Sequence, residues 1–320
     1  MSAEKPVSDL REAAPEAAPE AGGEAMGCPF ARPPLGAAPA AGGRRPLEKG
    51  IAVDLAADES YGAYLGLERL LSAQNPRSAD NHDELLFIIQ HQTSELWMKL
   101  LLHELDLAVV LVREGRLDES FKVFARVSQI QRMLFEQWSV LETMTPSDYL
   151  GFRAALGRSS GFQSFQYRAV EFVLGNKDRA LLSAHQQDPA MFAWLSERLA
   201  APSLYDEFLR HLARKGHAIP ADRLERDFRE PYEASPGVLA VFREIYENPK
   251  DNWAEYDLCE KLVDIEERFQ LWRFRHMTTV KRIIGFRPGT GGSSGVGFLK
   301  QALDLTFFPE LWDVRTELRR

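Results

Sequence analysis

Two histidines stand in places that call for a chemical explanation. In "FIIQHQTSELW", residues 87–97, His91 lies between two glutamines inside an apolar run. A helix that is apolar on every side is normally buried, and a buried imidazole must find a partner or lose stability. His276, in "LWRFRHM", shares a helix face with Phe269, Trp272, Val280 and Ile283, while Arg268, Arg275 and Arg282 fall on another stripe. None of the seven histidines has a second one four residues on, and none follows a glutamate by three residues. The helical zinc-protease and di-iron bundle spacings are therefore missing. A satisfied core histidine is one reading of His276. The other is a haem ligand, because haem asks for one axial nitrogen, a flat apolar slot and cations near its propionates.

Two further groups have chemical potential. Tyr149 and Arg153 in "TPSDYLGFR" are one helical turn apart and share a face. A phenol beside a forked cation suits a carboxylate; an exposed arginine packed on a tyrosine is the plainer alternative. In "GFRPGTGGSSGVGF", residues 285–298, Ser294 stands where the last glycine of a dinucleotide fingerprint belongs, and the P-loop lysine is missing. What remains is either a flexible linker or a loop with free amides and hydroxyls, Thr290 among them, able to close over a ligand.

The elements that must carry these groups read as helices. Periodic apolar residues predict helices over 83–114, ended by Gly115, and over 118–143. Thr145 and Pro146 open a third helix as N-cap and first residue. "GFQSFQYRAVEFVLGNK" is a fourth, with Gly175 at its C-cap. Shorter helices follow over 188–200, 203–214 and 236–247, and a second very long one begins at Trp253 and runs through His276. "YGAYLGLERLLSAQ" is helical ahead of all of these. The Asn-Gly and Asp-Gly hairpin dipeptides do not occur. The expectation is an all-α fold: one helical domain over 48–320 behind a disordered Ala/Pro/Gly-rich tail over 1–47.

Composition narrows the function classes. A net charge of −8 opposes a broad nucleic-acid footprint. Two cysteines, Cys28 and Cys259, are too few for a disulfide framework. No apolar run approaches the ~18 residues of a membrane span. A reducing, cytoplasmic setting is expected.

"FIIQHQTSELW", "TPSDYLGFRAALGRSSGFQSFQYR", "LWRFRHM" and "GTGGSSGVGFL…FFPELWDVR" resemble the tryptophan 2,3-dioxygenases, the bacterial ones above all, over residues 55 to 320. The resemblance implies a helical enzyme with one haem b per subunit. It would insert both atoms of O₂ across the indole C2–C3 bond of L-tryptophan to give N-formyl-L-kynurenine, the first step of the kynurenine pathway. By the same likeness His276 is the axial iron ligand and His91 the distal, catalytic histidine beside the indole N–H. Phe87, Ile88, Ile89 and Gln90 complete that wall of the substrate site. Arg153 clamps the substrate carboxylate with Tyr149 in support, and Thr290 meets the amino-acid end. Family members are homotetramers in which an N-terminal helix enters the neighbouring subunit's site, which implies trans contacts from Tyr61 and Tyr64. An oxygenase of the same superfamily acting on a modified indole, and a haem carrier, are the rival readings.

Overall fold

The structure, a computed structural model, describes residues 47–57, 60–78 and 80–318. The tail expected over 1–47 lies outside the described residues except for Leu47. The described chain divides between Leu65 and Gly66 into two units. In the first, helix α1 (Tyr61–Leu65) buries none of its residues. The helix expected over this region as one piece is interrupted at Gly66, whose positive φ of 61° is left-handed.

The second unit opens with α2 (Leu67–Leu71) and is dominated by two helices of 32 residues, α3 (Asp83–Glu114) and α12 (Trp253–Ile284). Gly115 ends α3 in a left-handed cap, its N–H reaching back to the carbonyls of Leu111 and Val112. Between the two lie α4 (Leu117–Glu136), α5 (Trp138–Leu141), α6 (Pro146–Phe152), α7 (Phe165–Leu174), α8 (Pro189–Ala200), α9 (Leu204–Arg214), α10 (Ala221–Leu224) and α11 (Pro236–Glu247). Helices α13 (Val296–Gln301) and α14 (Pro309–Glu317) follow α12. No strand occurs among the described residues, so the fold is all-α.

Apolar faces of α3, α4, α7, α9, α11, α12 and α14 close over one large core that includes Leu105, Val112, Phe124, Phe172, Phe208 and Leu262. A second, smaller cluster sits at the other stretch of the long helices and holds Trp138, Leu141, Met144, Tyr149, Phe152 and Ile283. Phe87 and Trp272 pack against it.

Two boundaries and the covering of one helix differ from the sequence expectation. The helix expected over 118–143 is interrupted at Gln137, whose amide bridges to Thr93 and Ser94 of α3. The helix expected from Gly161 begins instead at Phe165, because Ser164 accepts the N–H of Tyr167 and caps it there. Helix α3 is not covered on every side: Leu85, Ile89, Leu96, Leu100, Leu107 and Val110 form an exposed row at spacings of three, four and seven.

Candidate active site

His91 is fixed by its own helix. Its Nδ1 lies 2.7 Å from the Phe87 carbonyl one turn back. A carbonyl can only accept, so Nδ1 carries the proton and Nε2 keeps its lone pair. The Phe87 and His91 rings lie 4.1 Å apart. Phe87 in turn meets Phe152 at 5.4 Å and Tyr149 at 6.0 Å, which ties the front of α3 to α6. Loss of solvent pushes the His91 imidazole below its ordinary value, against the opposite pull of the Phe87 carbonyl and Glu95.

His276 approaches from α12. Its ring stacks on Trp138 at 4.9 Å and 14°, with Trp272 tilted 5.7 Å away. Desolvation pushes its pKa down to about 4, and the imidazole of His91 adds to the same effect. Among the described residues, neither ring nitrogen of His276 has a hydrogen-bond partner. The buried indole N–H groups of Trp138 and Trp272 have none either. The two histidines thus abut one apolar cluster from two helices, each as a neutral base. Buried ion pairing holds this part of α12: Arg273 bonds Glu171 of α7 at 2.8 Å and the Ala302 carbonyl at 3.0 Å.

Arg153 stands at the end of α6, which a full capping box of Thr145 and Asp148 initiates. One arm of its guanidinium, Nη2, donates to the Pro288 carbonyl at 2.6 Å. The other arm, Nη1, is buried with no partner. Its carbon lies 5.8 Å from the centre of the Tyr149 ring, and burial raises the Tyr149 phenol despite that cation. Pro288 leads into the glycine-rich loop, which folds onto the chain after α6: the Thr290 hydroxyl donates to the Ser159 carbonyl. Gly291 packs so closely on Ser160 that a Cβ there would stand 2.6 Å from the serine's own.

The other expected site residues divide. Gln90 is buried with an unpartnered side-chain nitrogen, Ile88 is half-buried and Ile89 is exposed. Tyr61 and Tyr64 lie in the first unit and are exposed. Residues that the spacing did not single out also belong here. Trp138 and Phe152 complete the aromatic wall, and Glu142 receives Arg275 and Thr279 on either side of His276.

A family model described as tryptophan 2,3-dioxygenase matches residues 51–318. The chain belongs to the tryptophan 2,3-dioxygenase family. It is 66% identical over 276 residues to the tryptophan 2,3-dioxygenase of Myxococcus xanthus, covering 86% of this chain and 95% of that protein. The corresponding proteins of Serratia proteamaculans and Kineococcus radiotolerans are 59% and 58% identical, with 99% and 96% of their lengths covered. In both cases 86% of this chain is aligned, so the family likeness takes in α3, α6, α12 and the glycine-rich loop together.

Proposed function

We propose that the chain is a haem-dependent dioxygenase that opens the indole C2–C3 bond of L-tryptophan with O₂ to give N-formyl-L-kynurenine. The observation that carries this reading is the meeting of two neutral imidazoles, His91 and His276, at one apolar cluster whose edge holds the unpartnered arm of Arg153.

The residues fit one haem b per subunit. His276 offers an imidazole nitrogen that no described residue uses, on a wall of flat rings. When bound, the haem iron supplies the activation of dioxygen. The chain's own residues do the rest. The Nε2 lone pair of His91 accepts the indole N–H and sets the ring's position; indole is far too weak an acid for a neutral imidazole to deprotonate it. Phe87 stacks along the ring, and the half-buried Ile88 and buried Gln90 back this wall, with Ile89 beyond them. The free Nη1 of Arg153 takes the substrate carboxylate, for which a charge-assisted bond replaces lost water. Tyr149 supports that grip. Thr290 and the loop over 289–295 close on the amino-acid end and exclude water.

We take the working form to be a homotetramer in which α1 enters a neighbouring subunit's site, bringing Tyr61 and Tyr64 to the substrate. The exposed apolar row on α3 and the exposure of both tyrosines, 74% and 87%, support an unfilled interface. No described helix is long and apolar enough to cross a membrane, and with few cysteines a cytoplasmic setting is the natural one.

The test is O₂ uptake by the reduced, haem-loaded protein, run with ¹⁸O₂. L-Tryptophan should trigger uptake, with both labelled atoms recovered in N-formyl-L-kynurenine. A carrier would show no tryptophan-dependent uptake, and an oxygenase for modified indoles would prefer a ring-substituted substrate.

A further inference from the structure

We propose that Glu142 is a positioning residue for His276, acting through the short helix α5, which holds Trp138 flat against the imidazole. The inference rests on the reading of His276 as the iron ligand.

Helix α5 is a strut pinned at both ends. At its start the Gln137 amide donates to Ser94 Oγ at 2.8 Å and accepts the Thr93 hydroxyl at 3.2 Å, both on α3 within a turn of His91. At its end the Glu142 carboxylate accepts Nε and Nη2 of Arg275, both at 3.0 Å, and the Thr279 hydroxyl at 2.8 Å. Arg275 directly precedes His276 and Thr279 lies one turn after it. The clamp therefore grips the stretch of α12 that carries the imidazole. Arg275 is saturated on its other side: Nη1 donates to the Phe135 carbonyl at 3.2 Å, and the guanidinium lies 4.6 Å over the Phe135 ring. Between the two pins sits Trp138, stacked on His276.

An imidazole bound through one nitrogen can rotate about that bond. The usual restraint is a hydrogen bond from the other ring nitrogen to a carboxylate or carbonyl, which also raises the ligand's basicity. His276 has no such partner among the described residues, and the carboxylate on this side is occupied by Arg275 and Thr279. The stacked indole is what remains to fix the ring. Glu142 and Arg275 are about a quarter exposed, at 27% and 21%. The grip is two-pronged, and a forked arginine–carboxylate geometry orients well. Such a grip is suited to setting an angle.

The experiment is resonance Raman spectroscopy of the iron–histidine stretch in the reduced, haem-loaded protein, alongside thermal unfolding. Glu142→Gln and Trp138→Leu should each shift and broaden the band, while Trp138→Phe, which keeps a stacking face, should leave it near its original position. Unchanged bands in Glu142→Gln and Trp138→Leu, with only a lowered Tm, would reduce the clamp to a structural brace and overturn the proposal. A shift in Trp138→Leu alone would remove Glu142 from it. Should Glu142→Gln fail to fold, Arg275→Lys keeps the charge, loses the forked grip and must give the same shift. The reading of His276 fails separately, if the unaltered protein lacks the band or His276→Ala retains it.

Discussion

The bond from His91 Nδ1 to the Phe87 carbonyl leaves one useful protonation state, with Nε2 unprotonated and able to accept. Acid therefore acts on substrate binding in a defined direction. Protonated His91 cannot accept an indole N–H, and desolvation has moved that protonation below the ordinary 6.5. We expect kcat/KM to hold level as pH falls through 6.5 and to drop only below it; His91→Ala should keep residual turnover and lose this acid limb. Complete loss of turnover with normal tryptophan affinity would contradict a positioning role. The same shifts bear on stability. Unfolded imidazoles protonate first, so the haem-free protein should weaken as pH falls below 6.5, until the folded pKa of His276, about 4, is passed. At Arg153 the expectation is larger. Arg153→Gln strands the substrate carboxylate, and binding should weaken by about 2–5 kcal/mol in a direct titration with tryptophan. His91 and His276 drew attention because each is an imidazole in an apolar segment, whereas Arg153 stood out only through its place in a long family motif. Glu142 was not legible, since its partners lie 133 and 137 residues away and no spacing connects them.

At the scale of elements, capping chemistry read directly from the sequence placed the termini well. Gly115 ends α3 and Thr145 with Pro146 starts α6, as read; the helices expected from 188 and 236 begin at Pro189 and Pro236. Tertiary bonds set the breaks that local pattern could not show, such as that at Gln137. Helix α14 went unread for a similar reason. Its buried Glu310 looks like a solvent residue in sequence, yet it accepts the hydroxyls of Tyr205 and Tyr232 and the N–H of Ser235. The glycine-rich loop was read for its amides, whereas its conformation demands the glycines themselves. Gly295 has φ +65°, and a Cβ there would stand 2.5 Å from the Arg287 carbonyl. Gly295→Ala should therefore displace the loop from Ser159 and Ser160 and lift the Pro288 carbonyl from Arg153. The expected result is a raised KM for tryptophan with near-normal helix content and haem uptake; an unchanged KM would mean that the loop takes no part in substrate binding.

For the whole molecule, α3 carries apolar residues on more than one side, but one chain covers only part of them. The row from Leu85 to Val110 is left exposed, as a face awaiting other subunits would be. Leu100→Glu with Leu107→Glu changes no buried residue, so the chain should still fold. In light scattering, however, its mass should drop below that of a tetramer. Site sharing allows a sharper test. If Tyr64 serves a neighbour's site, a Tyr64→Ala subunit lacks nothing in its own site except what its neighbour supplies. An Arg153→Gln subunit has the opposite defect: its own site is damaged, yet it still carries an intact Tyr64. Each variant alone should be weak. Assembled together, a Tyr64→Ala site served by an Arg153→Gln neighbour holds both residues intact, so mixed tetramers should recover a substantial share of activity. Were Tyr64 to serve its own subunit, each mixed site would still carry one defect, and activity would stay at the level of the separate variants.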